Sequence, residues 1–138
     1  MSNHTLRLSL LLLFAGAVLA QAPTYQPVAT HMQIMQAFII PASDALFALG
    51  GQAPASDKDW QSVQTNAIIL AEAGNLLIMR TPKADNGDWK KFSKQMTVAG
   101  AAALAAAKRK DVDKLTGDVS DQVLMSCEAC HAKYLKKK

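Results

Sequence analysis

The sequence predicts an all-α protein, an antiparallel four-helix bundle. Three observations carry that expectation. Beyond residue 20 the chain is rich in Ala, Leu, Met, Gln and Lys, all good helix formers. Apolar residues recur at spacings of three and four in four separate segments, which is the period of one helix face, and no segment alternates as a half-buried strand does. Short links holding Gly, Pro and Asn divide the segments, and short links set successive helices side by side and antiparallel.

The first twenty residues stand apart. Arg7 supplies a positive start, Leu8 to Leu19 is almost wholly apolar, and Val18 and Ala20 offer the small side chains at which a signal peptidase cuts. The apolar run is about a dozen residues, short of the ~20 that a spanning helix needs. Residues 1–20 therefore read as a secretory signal peptide cleaved after Ala20, and residues 21–138 as one domain with no membrane span.

The first helix is expected from Val28 to Leu49. Val28, Met32, Met35 and Ile39 share a face, Pro41 predicts a kink or short break, and Gly50 and Gly51 end the helix as left-handed caps commonly do. The second begins near Ser56, whose pairing with Asp59 resembles a capping box. Its seam is Trp60, Val63, Ala67, Leu70, Gly74 and Leu77. Thr81 to Gly87 is a loop. The third helix starts near Asp88, with Trp89, Phe92, Met96, Ala99 and Ala103 on one face. Its stretch from Ala99 to Ala107 permits close approach of another helix or of a flat cofactor, or expresses helix propensity alone. Lys108 to Lys110 close it, where positive charge is favourable. The fourth runs from Val112 to Tyr134, with Val112, Leu115, Val119, Val123 and Cys127 as its seam.

Chemistry concentrates at residues 127–131, which read Cys-Glu-Ala-Cys-His, the C-x-x-C-H signature of c-type haem attachment. On a helix, Cys127 and Cys130 lie on one face, so both sulfurs can reach the two vinyl groups of a porphyrin. His131, four residues after Cys127, projects on the same side and can meet the iron. Rival readings fit less well. A dithiol oxidoreductase places C-x-x-C at a helix N-terminus beside strands. Structural zinc needs four ligands, often from paired knuckles, and the domain has only two Cys and two His. A disulfide between residues three apart closes too small a loop to stabilise much.

Here the chain resembles class II c-type cytochromes, the cytochrome c prime family, whose C-x-x-C-H also sits at the end of the fourth helix. The resemblance extends to Tyr134, the Lys136 to Lys138 tail, Trp89 opening the third helix, and Asp113-Lys114-Leu115 opening the fourth. It implies a four-helix bundle with one covalent haem c near one end, attached to the C-terminal helix through Cys127 and Cys130, with His131 as axial iron ligand. It also implies a periplasmic location and homodimers packed through the first two helices. Some members carry Met on the first helix as sixth ligand and transfer electrons; others leave the iron five-coordinate and bind nitric oxide or carbon monoxide. The distal position lies about four and a half turns before the glycine ending the first helix. Counting from Gly51 gives Met35 and from Gly50 gives Ile34. Met35 shares the apolar face, so it is the expected distal ligand, with Met32 one turn earlier as the alternative.

Two departures from the family stand out. His31 occupies the place of an Arg that meets a haem propionate, so His31 is expected at the haem edge. Leu135 replaces the cation that five-coordinate members carry after the motif's aromatic residue. The expected function is periplasmic one-electron transfer rather than enzymatic catalysis, with redox proteins as partners and gas binding as the alternative. The net charge of +4, one unit less without Arg7, is too weak to suggest nucleic acid. Lys136 to Lys138 form either a solvated tail or a docking patch for an acidic redox partner.

Overall fold

The computed structural model describes residues 25–135. The expected signal peptide, its cleavage point and the Lys136 to Lys138 tail lie outside them. All regular structure among the described residues is helical. Four helices form: α1 (His31–Gly50), α2 (Asp57–Met79), α3 (Asp88–Lys108) and α4 (112–134). The arrangement is compatible with a helical bundle. The α2–α3 contact is the most extensive and α3–α4 follows, whereas α1 and α4 scarcely meet.

α1 starts three residues later than expected. Thr30 takes the N-cap: its hydroxyl accepts from the N–H of Gln33 at 3.1 Å, and the Gln33 side chain accepts from the N–H of Thr30 at 2.8 Å. Two orphan donors are satisfied there, so the helix begins at His31, and Val28 is left 91% exposed outside it. Pro41 does not break α1, which stays helical through it. Residues Met35–Ile39 form a π-turn in which the N–H of Ile40 donates to the carbonyl of Met35. The wider turn accommodates a proline that lacks an N–H and crowds the preceding turn.

That turn also shifts the register. Ile34 and Ile39, five apart, are both buried, and with Ala42, Leu46 and Leu49 they form the core face. Of the predicted stripe, Ile39 joins that face, while Met32 and Met35 border an open groove that Ile39 also lines. α1 therefore has two apolar sides, and it is long and apolar enough, by length and composition, to cross a membrane. The helix ends in a 3-10 turn over Ala48–Gly50. Neither closing glycine is left-handed: Gly51 has φ −97° and its N–H bonds the Ala48 carbonyl at 3.1 Å.

α2 carries the expected capping box. Asp59 N–H donates to the Ser56 hydroxyl at 3.2 Å and Ser56 N–H donates to the Asp59 carboxylate at 2.9 Å. Its seam is buried as expected at Trp60, Val63, Ala67, Leu70, Gly74 and Leu77. On α3, Trp89, Met96, Ala99 and Ala103 are buried while Phe92 is half-buried. The small residues serve helix approach: a Cβ on Gly100 would lie 2.5 Å from the Ala71 N, and one on Gly74 2.8 Å from the Ser93 carbonyl. α3 closes with Lys110 at φ 56°, while the N–H of Asp111 reaches back to the Ala106 carbonyl at 3.1 Å, a Schellman-type cap. In α4 a second π-turn, Leu115–Val119, bends at Gly117 (φ −96°, ψ −115°), and Leu115, Val119 and Val123 are buried as predicted.

Candidate functional site

The gap between α1 and α4 opens as a groove of about 470 Å³. α4 contributes Cys127, Cys130, His131 and Tyr134; α1 contributes His31, Met32, Met35, Ile39, Ile40, Ser43 and Phe47; Trp89 and Met96 of α3 lie between. The five residues expected to form the site thus converge on one cavity, although they come from opposite ends of the sequence. The volume falls in the range of small-molecule and cofactor pockets. Its walls are apolar and incompletely covered: Met32 is 55% exposed, Ile40 47% and Phe47 38%.

The donor groups are arranged by helix geometry. Cys127, Cys130 and His131 occupy consecutive positions of one α4 stripe, with Cys130 buried, Cys127 half-buried and His131 exposed. The cysteines are not joined in a disulfide. Burial pushes both thiols above the ordinary thiol range, and Glu128 adds to the rise at Cys127. They are therefore protonated at neutral pH, unlike the low-pKa thiolate of a dithiol oxidoreductase. Among the described residues, no three His, Cys, Asp or Glu side chains gather as a metal site. Two thiols and an imidazole on one wall, facing a thioether across an apolar gap, are chemically suited to a flat porphyrin held at its edge and at its iron.

On the α1 wall, Met35 is half-buried and packs against the core, whereas Met32 stands at the rim. His31 reaches the groove, but its ring is engaged elsewhere. Nε2 lies 2.9 Å from the Arg80 carbonyl, so that nitrogen carries the proton, and the ring sits 4.6 Å from Trp89 between centroids. A propionate could be met only through Nδ1.

The pattern of the sequence did not disclose Arg80 as part of the site's frame. Its guanidinium donates to the Tyr25 hydroxyl at 2.7 Å and to the Ala29 carbonyl. With its own carbonyl held by His31, Arg80 fastens the entry of α1 to the end of α2. Trp89 donates from Nε1 to the Leu77 carbonyl at 2.7 Å, and Tyr134 packs edge-on against it at 5.1 Å. Tyr134 donates to Asp85 at 2.5 Å, while Asp85 also accepts from the N–H groups of Gly87 and Trp89. Lys133 pairs with Asp88 beside them. The end of α4 that carries the cysteines is thereby latched to the α2–α3 loop. Ile40, Ser43 and Phe47 were also missed as groove residues; their three- and four-residue spacing, on a second side of α1, was the available signal.

Compared with protein-family models, curated proteins and solved structures, the chain shows no match.

Proposed function

We propose that this protein is an exported, periplasmic c-type cytochrome that carries single electrons between redox proteins and catalyses no reaction of its own. The observation that carries the reading is the convergence of Cys127, Cys130 and His131 on one wall of an apolar groove, with Met35 on the other. One covalently bound haem c supplies reversible one-electron chemistry at its iron. The chain's own residues do the rest. Cys127 and Cys130 anchor the group to α4. The His131 imidazole, from α4, and the Met35 thioether, from α1, would hold the iron. Apolar side chains of α1 and α3 line the groove around it. Thioether ligation and burial favour the ferrous state and raise the reduction potential, as suits a carrier. His31 borders the haem edge, and the first two helices offer a surface for a homodimer.

A second reading, a five-coordinate protein binding nitric oxide or carbon monoxide, is supported by Ile39, Ile40 and Phe47, which make much of the α1 wall apolar. One preparation tests both. The protein, made in an export-competent host with cytochrome maturation machinery, should have the mass of its processed chain plus one haem that acid–acetone does not extract. Its ferric spectrum should be low-spin, and Met35→Ala should make it high-spin and open to carbon monoxide. A wild type already high-spin and reactive with carbon monoxide would move the assignment to gas binding. Extractable haem, or none, would remove the cytochrome reading.

A further inference from the structure

We infer that the shallow groove between α3 and α4 is the docking surface for an acidic electron-transfer protein; the inference rests on the carrier reading above. This groove, about 550 Å³, uses a different face of α4 from the cysteine stripe and is bordered by Gln122, Met125, Ser126 and Ala129 on that side. Two of its apolar side chains face solvent: Val98 is 55% exposed and Met125 67%. Lys91 and Lys94 stand on its border, and no carboxylate lines it. Among the described residues these two lysines enter no ion pair, whereas Lys110, Lys114 and Lys133 are each bound to an aspartate. Exposed apolar side chains beside two lysines outside any ion pair complement a partner face that joins apolar and acidic side chains.

The position also suits electron transfer. Ser126 is buried in this wall and precedes Cys127 directly, so one helix thickness, roughly 10 Å, separates the two grooves. Phe92, at the groove, packs edge-on against Tyr134 with centroids 6.5 Å apart, and Tyr134 in turn contacts Trp89 at 5.1 Å. Both of those side chains line the cysteine-bearing groove. A partner seated here is close to the electron without covering the groove mouth. Redox encounters are small and transient, below about 1,200 Å², so a few apolar side chains and a charged edge suffice. A second copy of this chain is a poor occupant, because a two-fold contact would bring this same lining onto itself, with two lysines and no carboxylate on either side.

The test is stopped-flow electron transfer from the reduced holoprotein to an oxidised acidic blue-copper protein at low and high salt. The rate should fall as salt rises. Lys91→Glu with Lys94→Glu should lower the low-salt rate about tenfold, and Met125→Gln should lower it without changing the salt slope. The same charge change at the far end of the helices, Lys58→Glu with Lys108→Glu, should alter the rate less than about twofold. Spectra of all variants should match the wild type. If both charge pairs lower the rate equally, or neither does, in a haem-loaded and reducible protein, the docking assignment is overturned and the carrier reading stands. A holoprotein dimer that Lys91→Glu with Lys94→Glu dissociates would overturn it in favour of a second copy. A protein without haem overturns the carrier reading itself, and this inference with it.

Discussion

Tyr134 shows how much one side chain contributes to the frame of the site. Burial, and then the bond to Asp85, push its phenol up to about 12. Asp85 moves the other way. Burial opposes ionisation, but the Tyr134 hydroxyl and the N–H groups of Trp89 and Gly87 together hold its carboxyl below the usual range. A phenol with a raised folded pKa stabilises the fold fully below its unfolded value, near 10.0, and loses that contribution as pH climbs toward about 12. Urea midpoints measured across that window should fall for the wild type and fall less for Tyr134→Phe, which should start lower. Parallel curves would show that the Tyr134–Asp85 bond is not the source. On the acid side, the Asp85 contribution is present above the ordinary carboxylate pKa and lost as pH drops through the depressed one. The methionines separate by exposure. Met32, 55% exposed, should tolerate Ala within about 0.5 kcal/mol in thermal or urea unfolding. Only full burial would have cost it the ~2–5 kcal/mol typical of a core site. Met35, half-buried against the core, should lose more, together with its spectral effect.

Among the elements, α2 was the most legible from sequence. Its seam and its Ser56 box both follow local rules, and nothing distant disturbs them. α1 was the least legible. A 3.6-residue period assumes an unbroken α-helix, so with the π-turn over Met35–Ile39 it is Ile34 that joins Ile39 in the core, while Met32 and Met35 border the groove. Its start was readable all the same, because Thr30-x-x-Gln33 has the spacing of a capping box. The α2–α3 pair yields a sharp prediction. At Gly100 an added Cβ would meet the Ala71 backbone, which has no flexible end to swing aside. Gly100→Ala should therefore lower stability by about 1–3 kcal/mol despite alanine's better helix propensity. Gly50→Ala, with nothing within 4 Å, is the control and should cost little in the same urea titration.

At the scale of the whole molecule, the notable feature is the sparse contact between α1 and α4. Three helix pairs are closed by side chains, and the fourth is left as an apolar groove with Ile40 and Phe47 exposed on its wall. A bound porphyrin would complete the core there, and binding to the native state alone adds to stability. Cys127→Ser with Cys130→Ser, prepared without haem, should stay helical by far-ultraviolet dichroism. It should melt well below the holoprotein and bind a hydrophobic dye at the open groove. An apoprotein that melts at the holoprotein's temperature would mean that the groove contributes nothing to the fold.

The sequence by itself determined the helices, their approximate limits, and the alignment of Cys127, Cys130 and His131 on one stripe. All of these follow from propensity, capping and a period set within a few residues. It also brought Met35 and His31 into consideration, though only by analogy. Tertiary structure alone decided that α1 faces α4 across a gap, which puts both residues beside the cysteines. It decided as well that the Nε2 of His31 is spent on Arg80, and that Arg80, Asp85 and Tyr134 hold the ends of the site. Those pairings join residues about fifty positions apart, and no local pattern encodes which side chains meet once helices pack.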